Sequence, residues 1–255
     1  MRLLKIDIIK KHLLSYDYRA ALEVGKDIKD DISVEAYNWL EIAVARAVLD
    51  WERMNKYLPK GNGVVTSIKT DDIKRSLFEY TLILDLKLRR GEYADFVRAF
   101  TPLGVDLMEA VIEQFCGIKI SDYYKGKNSA KQWNQRKLEG SEVLSLLQGD
   151  FLTFRFGPVY SIQLVNVIEA RCSDDLLKQR ARELVVVEQN TRNIAAHNIV
   201  SVTEDWVKEQ TGKSVSEIMW IIKYICSRVK INTREENWNS YDIMNNQIIN
   251  ILDEQ

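Results

Sequence analysis

Apolar positions recur at three- and four-residue spacing along most of this chain, which is the period of a helix and not of a strand. Leu4, Ile8, Ile9 and Leu13 share one face across 4–15. Tyr16 to Glu23 opens a second helix, which makes a helical hairpin with the first. No internal repeat follows it. Ser33 stands where it would cap a third helix over 34–55, in which Tyr37, Leu40, Val44, Val48, Trp51 and Met54 hold the spacing. The stretch from Lys56 to Thr70 contains Pro59, Gly61 and Gly63 and reads as a loop. Asp71 or Asp72 then starts a helix that Gly91 stops.

Beyond Tyr93 the pattern is that of a bundle. Asp95–Phe100 is expected to be helical, Pro102 to reset the chain, Leu103–Cys116 to continue it and Gly117 to end it. Ser141 or Ser145 starts a short helix, Gly149 and Gly157-Pro158 bound a loop, and 159–170 is helical again. Asp174 or Asp175 caps a long helix that runs to the end of the Glu188–Asn198 stretch. Its β-branched centre, Leu184–Val187, would suit a strand alone but lies inside the longer helical pattern. Ser214 caps a helix carrying Val215, Ile218, Met219, Ile222 and Cys226, and a last helix covers about 239–253. The fold class is all-α: an N-terminal helical hairpin stack over 1–92, followed by a helical bundle over 93–255.

Composition agrees with long helices around a sizeable core: 46% of the 255 residues are apolar, with only 11 glycines and 3 prolines. The formal net charge is −1, so no global basic field draws in nucleic acid, and any RNA site has to be a local patch. Cys116, Cys172 and Cys226 are odd in number and widely spaced, without a CxxC. That argues against a zinc site or a disulfide framework and for a reducing cytoplasm. The N-terminal residues are too charged for a signal peptide, and no apolar run is long enough to span a bilayer. No membrane, cofactor or metal is expected.

One stretch carries candidate chemistry. Glu188-Gln-Asn-Thr-Arg-Asn-Ile-Ala-Ala-His197 holds one of the two histidines, with an arginine five residues before it. RNA brings its own nucleophile, the 2′-hydroxyl. An enzyme then needs a group that moves protons near neutrality and a cation that matches phosphoryl oxygens. Histidine supplies the first and arginine the second. Arg192 and His197 are the candidate catalytic pair, supported by Asn193, with Asn198 placed to touch RNA. On a helix the two positions stand about 140° apart. Either the stretch bends or frays near His197, or a second subunit completes the pair. Arginine and histidine near a helix C-terminus also favour the dipole, so spacing alone does not decide. His12 has no arginine at a matching spacing and reads as a surface residue.

Arg192-Asn193-x-x-x-His197 at the end of an amphipathic helix resembles the HEPN ribonucleases, whose motif is Arg, a polar residue, a short spacer and His. The surrounding residues, with Thr203-Glu-Asp-Trp-Val-Lys208, are similar to the Csm branch of the type III CRISPR accessory ribonucleases. The resemblance is specific over about 165–230. It implies a HEPN-type bundle and a metal-independent endoribonuclease that cuts single-stranded RNA in antiviral defence. It also implies a homodimer in which each protomer supplies one Arg–His pair, and DNA is not an expected partner. Two other classes share parts of the pattern: a HEPN toxin with an antitoxin, and a helical interaction protein that has lost catalysis.

Further RNA contacts are expected from Lys178, Arg180 and Arg182 on the motif helix, and from Lys131 and Arg136 in the basic stretch 123–140. Tyr123, Tyr124 and Trp133 accompany that stretch, for which a solvated loop is the commoner outcome. The resemblance also implies an N-terminal Rossmann-type domain that senses cyclic oligoadenylates. No alternation of strands and helices and no glycine-rich phosphate loop is seen. The expectation is a truncated gene or an excised pair of domains, which argues against ligand control through this chain.

Overall fold

Short polar residues start the helices. The structure is a computed structural model that describes residues 2–58, 73–125, 131–149, 154–197 and 201–254, with backbone alone at 73 and 192–197. Asp17, Ser33 and Asp50 accept hydrogen bonds from the Ala20, Ala36 and Arg53 amides at 3.1, 3.1 and 3.0 Å. Each satisfies a helix N-terminal donor that would otherwise lack a partner. Thr203 and Ser214 do the same for Trp206 and Glu217, and the Glu217 carboxylate accepts from the Ser214 amide to complete a capping box.

The described helices are α1 (Arg2–Leu14), α2 (Tyr18–Lys26), α3 (Val34–Ala47), α4 (Trp51–Tyr57), α5 (Ile73–Arg89), α6 (Tyr93–Val111) and α7 (Gln135–Leu138). They continue as α8 (Glu142–Gln148), α9 (Ser161–Arg171), α10 (Asp175–His197), α11 (Glu204–Thr211), α12 (Val215–Arg228) and α13 (Ser240–Asp253). Among the described residues there is no strand, only isolated antiparallel bridges joining Tyr124 to Trp133 and Gln132 to Pro158. No described helix is long and apolar enough to cross a membrane.

The chain packs as two compact units, Met1–Arg90 with Arg234–Gln255, and Gly91–Thr233. This differs from a division at 92 with everything beyond it in one domain. The C-terminal helix joins the first unit because α13 packs on α1 and α3. Its apolar stripe, Tyr241, Met244, Ile248 and Leu252, is buried there. The expected helix 34–55 is two helices, because Leu49 adopts a left-handed φ of 57° between α3 and α4. Pro102 does not reset the chain. It lies inside a continuous α6, and burial of Phe96, Val97 and Phe100 before it and Leu103, Leu107 and Met108 after it outweighs the lost backbone bond. A five-residue π-helix, Ile112–Cys116, extends α6, and Gly117 ends it in the left-handed conformation at φ 66°. Asp71 and Asp72, expected to start α5, lie outside the described residues.

The first unit is fixed by a buried ion pair. Arg46 on α3, 2% exposed, donates to both Glu79 oxygens on α5 at 2.8 and 3.1 Å. It also donates to the Ser240 hydroxyl at 2.7 Å and lies 4.1 Å from the centre of the Tyr241 ring. One guanidinium thus holds α3, α5 and α13 together. Burial works against its charge, yet Glu79 keeps the guanidinium above its ordinary pKa. Arg46→Ala is expected to cost about 3–5 kcal/mol, because it leaves a buried carboxylate without its cation. Arg46→Met with Glu79→Leu should cost less than the single change. Urea denaturation of the three proteins measures this, and a smaller loss in the single variant would refute it.

Candidate functional site

Helix α10 is the axis of the second unit. It packs against α6, α9, α11 and α12. Leu177, Ala181, Leu184, Glu188 and Thr191 fall on one stripe and are all at most 4% exposed. Asp174 caps the helix by accepting from the Leu177 amide at 3.0 Å, and Arg228 on α12 pairs with its other oxygen. That amide first, and Arg228 with it, holds the Asp174 carboxyl below its usual pKa. Near the far end, Asn190 donates to the Gln210 carbonyl of α11 at 3.0 Å. The Leu184–Val187 run is helical, as the longer pattern requires.

Arg192, Asn193 and His197 all lie on α10, which continues to His197 in helical conformation. With no break before the histidine, the positions of Arg192 and His197 diverge by about 140° around the axis. Asn198 lies outside the described residues, as do Ile199 and Val200. His12 is on α1, with Nδ1 3.9 Å from Asp17.

The expected RNA-binding cations fare differently from one another. Lys178 pairs with Asp175 at 2.6 Å, and Arg182 with Glu169, both at the surface. Exposed pairs of this kind are weak. Arg180 is clamped more firmly. It donates to Glu183 at 2.7 Å and lies 5.1 Å from the centre of the Trp220 ring. Burial pushes Glu183 up, but Arg180, Gln179 and Lys213 bring it below its usual value. Arg136 is exposed on α7.

Lys131 is tied down, and the stretch around it is built into the fold on both sides of residues 126–130, which lie outside the described residues. The Lys131 amine pairs with Asp106 and Glu109 of α6 and stands 5.8 Å from the centre of the Tyr124 ring. Trp133 is fully buried and donates to Gln163 at 2.8 Å. Trp133 is therefore core, and Tyr124 packs edge-on against it at 5.3 Å. Sequence alone could not separate a base-stacking aromatic from a packed one.

Glu188, Ser161 and Gly104 were not among the expected site residues. Glu188 is 4% exposed and accepts a hydrogen bond from the Ser161 hydroxyl at the start of α9. A Cβ at Gly104 of α6 would stand 3.3 Å from its Oε2. The signal is present in the pattern: an acid occupies a stripe position that should be apolar, one turn before Arg192. Elsewhere, Cys116, Cys172 and Cys226 form no disulfide, and burial pushes the Cys116 thiol up to about 11. Among the described residues, no three His, Cys, Asp or Glu side chains are grouped so as to hold a metal ion.

Residues 65–249 match the family model of the Cas_Csm6 HEPN domain, and residues 1–47 that of the CRISPR-associated protein Csm6 6H domain. The chain is 26% identical over 257 aligned positions to the CRISPR system endoribonuclease Csm6 of Mycobacterium tuberculosis (strain ATCC 25618 / H37Rv), covering 96% of this chain and 54% of that protein. Its fold matches Enterococcus italicus Csm6 bound to cyclic hexa-2′-fluoro-hexa-dAMP with a TM-score of 0.71 at 16% identity, over 98% of this chain and 57% of that one. The chain therefore spans about half the length of these relatives.

Lys131→Ala is expected to lower the melting temperature, since it leaves Asp106 and Glu109 together without their cation. Burial lowers the Lys131 pKa, but the two carboxylates raise it above the ordinary lysine value. Its contribution to stability is therefore complete at neutral pH and is lost as pH rises through that elevated value. Calorimetry of the two proteins at neutral pH measures this, and an unchanged melting temperature would refute it.

Proposed function

The chain belongs to the Csm6 HEPN family, and from that premise we propose that it is an endoribonuclease of CRISPR-linked defence that cuts single-stranded RNA without a metal. One observation carries the reading. Arg192-Asn193-x-x-x-His197 falls inside the family match, at the end of a helix anchored along its length by α6, α9, α11 and α12. A rigid helix that delivers a proton-moving group and a phosphate-matching cation is what this reaction requires.

In the proposed reaction the 2′-oxygen attacks the adjacent phosphorus and the P–O5′ bond breaks. The 2′-hydroxyl proton leaves to a base and the 5′-oxygen receives a proton from an acid. The products are a 2′,3′-cyclic phosphate and a 5′-hydroxyl. His197 serves the proton transfers, and Arg192 binds the phosphoryl oxygens as charge builds on them. Asn193 supports the pair and Asn198 touches the strand. Lys178 and Arg182, whose ion pairs are exposed, exchange their carboxylates for phosphates; Arg136 adds an exposed cation.

Two copies of the chain form the site in this reading. Positions 140° apart on an unbroken helix do not converge within one chain. A two-fold axis near His197 sets one pair against the other. We assign this chemistry to the unit Gly91–Thr233, with the other unit as helical support. The cyclic hexanucleotide belongs to the Enterococcus protein. No alternation of strands and helices occurs among the described residues here, so the proposal is confined to RNA cleavage.

His197→Ala is expected to abolish cleavage and Arg192→Ala to come close, with both variants folded, since proton transfer alone contributes about 10²–10⁴-fold. Activity should persist in a metal chelator and stop on a strand with a 2′-deoxy group at the cleaved position. Wild-type cleavage by purified His197→Ala, or a 3′-hydroxyl product, would defeat the assignment.

The composite site makes activity depend on concentration. Sedimentation and cleavage measured across one dilution series should fall together as the dimer separates. A monomer with full specific activity at every dilution would show that one chain suffices.

A further inference from the structure

Glu188 occupies the place in the α10 stripe where the pattern calls for an apolar residue. Leu184 precedes it by one turn, Thr191 follows on the same side, and all three are at most 4% exposed. A carboxylate removed from water this far stays charged only beside a cation and hydrogen-bond donors. One donor is the Ser161 hydroxyl. The space comes from Gly104, where even a methyl group would crowd Oε2 at 3.3 Å. Three helices, α6, α9 and α10, thus contribute to one carboxylate site.

Helical register supplies the cation. Arg192 lies four residues after Glu188 on the same unbroken helix, about 40° around the axis. Acid before base at this spacing is the favourable order for a helical pair. We propose that Glu188, oriented by Ser161 and given room by Gly104, is a positioning residue that sets the Arg192 guanidinium for phosphate binding. The proposal rests on the ribonuclease reading of Arg192 and goes beyond it by naming what holds that arginine. The carboxylate touches no substrate. It limits the directions open to the guanidinium, and a functional arginine on the last turns of a helix gains most from that constraint.

The test assays the full chain on a labelled single-stranded RNA, with folded fraction followed by circular dichroism. Glu188→Gln keeps the size of the side chain and removes its charge. It is expected to lower kcat about 100-fold with KM changed less than about threefold, because misplacing a catalytic group by an ångström costs on that order. Ser161→Ala, which leaves the charge but removes its orienting donor, is expected to lower kcat about tenfold by the same argument. Added guanidinium should restore part of the activity of Arg192→Ala, where the carboxylate remains, and none in Arg192→Ala with Glu188→Gln. Wild-type kcat in folded Glu188→Gln, a loss that only follows the folded fraction, or equal rescue of the single and double variants would overturn the proposal. Full activity in Arg192→Ala alone would instead bring down the ribonuclease site on which it rests.

Discussion

The register of α10 is the constraint on which the second unit depends. A helix turns 100° per residue, so burying Leu177, Ala181, Leu184, Glu188 and Thr191 against their neighbours fixes the angular place of every later residue. A slip of one residue would turn the positions of Arg192 and His197 by that angle. The helix is held against such a slip at its start and in its last third. Asp174 and Arg228 pin its start, and Asn190 ties its last third to the end of α11. Packing along four turns thus sets the register of the backbone that carries Arg192 and His197.

Buried charge serves both units, in different ways. In the first, Arg46 and Glu79 pair beside Ser240 and the Tyr241 ring, and the pair joins α3, α5 and α13. Such a pair costs desolvation and returns little net stability, but it is intolerant of the wrong partner. It therefore selects the arrangement of helices more than it strengthens it. In the second, Glu188 stands in a stripe that four apolar or hydroxyl neighbours could have completed without it. Gly104 gives up packing area to admit it. A carboxylate at that position costs desolvation, which the Ser161 hydroxyl offsets in part.

The helices were legible in the sequence because their signals are local. Caps at Ser33, Ser141, Asp174 and Ser214 and stops at Gly91 and Gly117 lie within a few residues of what they control. What was not legible depends on distant partners. The apolar stripe of α13 says that it packs, and not that it packs on α1 and α3. Pro102 reads as a break until both flanks of α6 are seen to be buried. Lys131 and Trp133 look like a cation and an aromatic offered to RNA, and are an ion-pair centre and a core ring. The Arg–His motif was readable as residues. The carboxylate site beside it was not, because Ser161 and Gly104 are far from Glu188 in sequence and neither is unusual where it stands.

Charge sets the last step. The chain is nearly neutral, with 36 basic against 37 acidic residues, and Lys178, Arg180 and Arg182 in the first half of α10 are paired with carboxylates of their own unit. Attraction to RNA over long range is therefore weak. Under the proposed function the affinity that matters is gained at the reacting phosphate, where one arginine from each copy meets charge that grows as the 2′-oxygen attacks. A site built this way binds the transition state more tightly than the strand, which is the condition for catalysis instead of sequestration. Weak ground-state binding then follows from the same arrangement that speeds the reaction, because cations held by carboxylates do not trap an uncut strand.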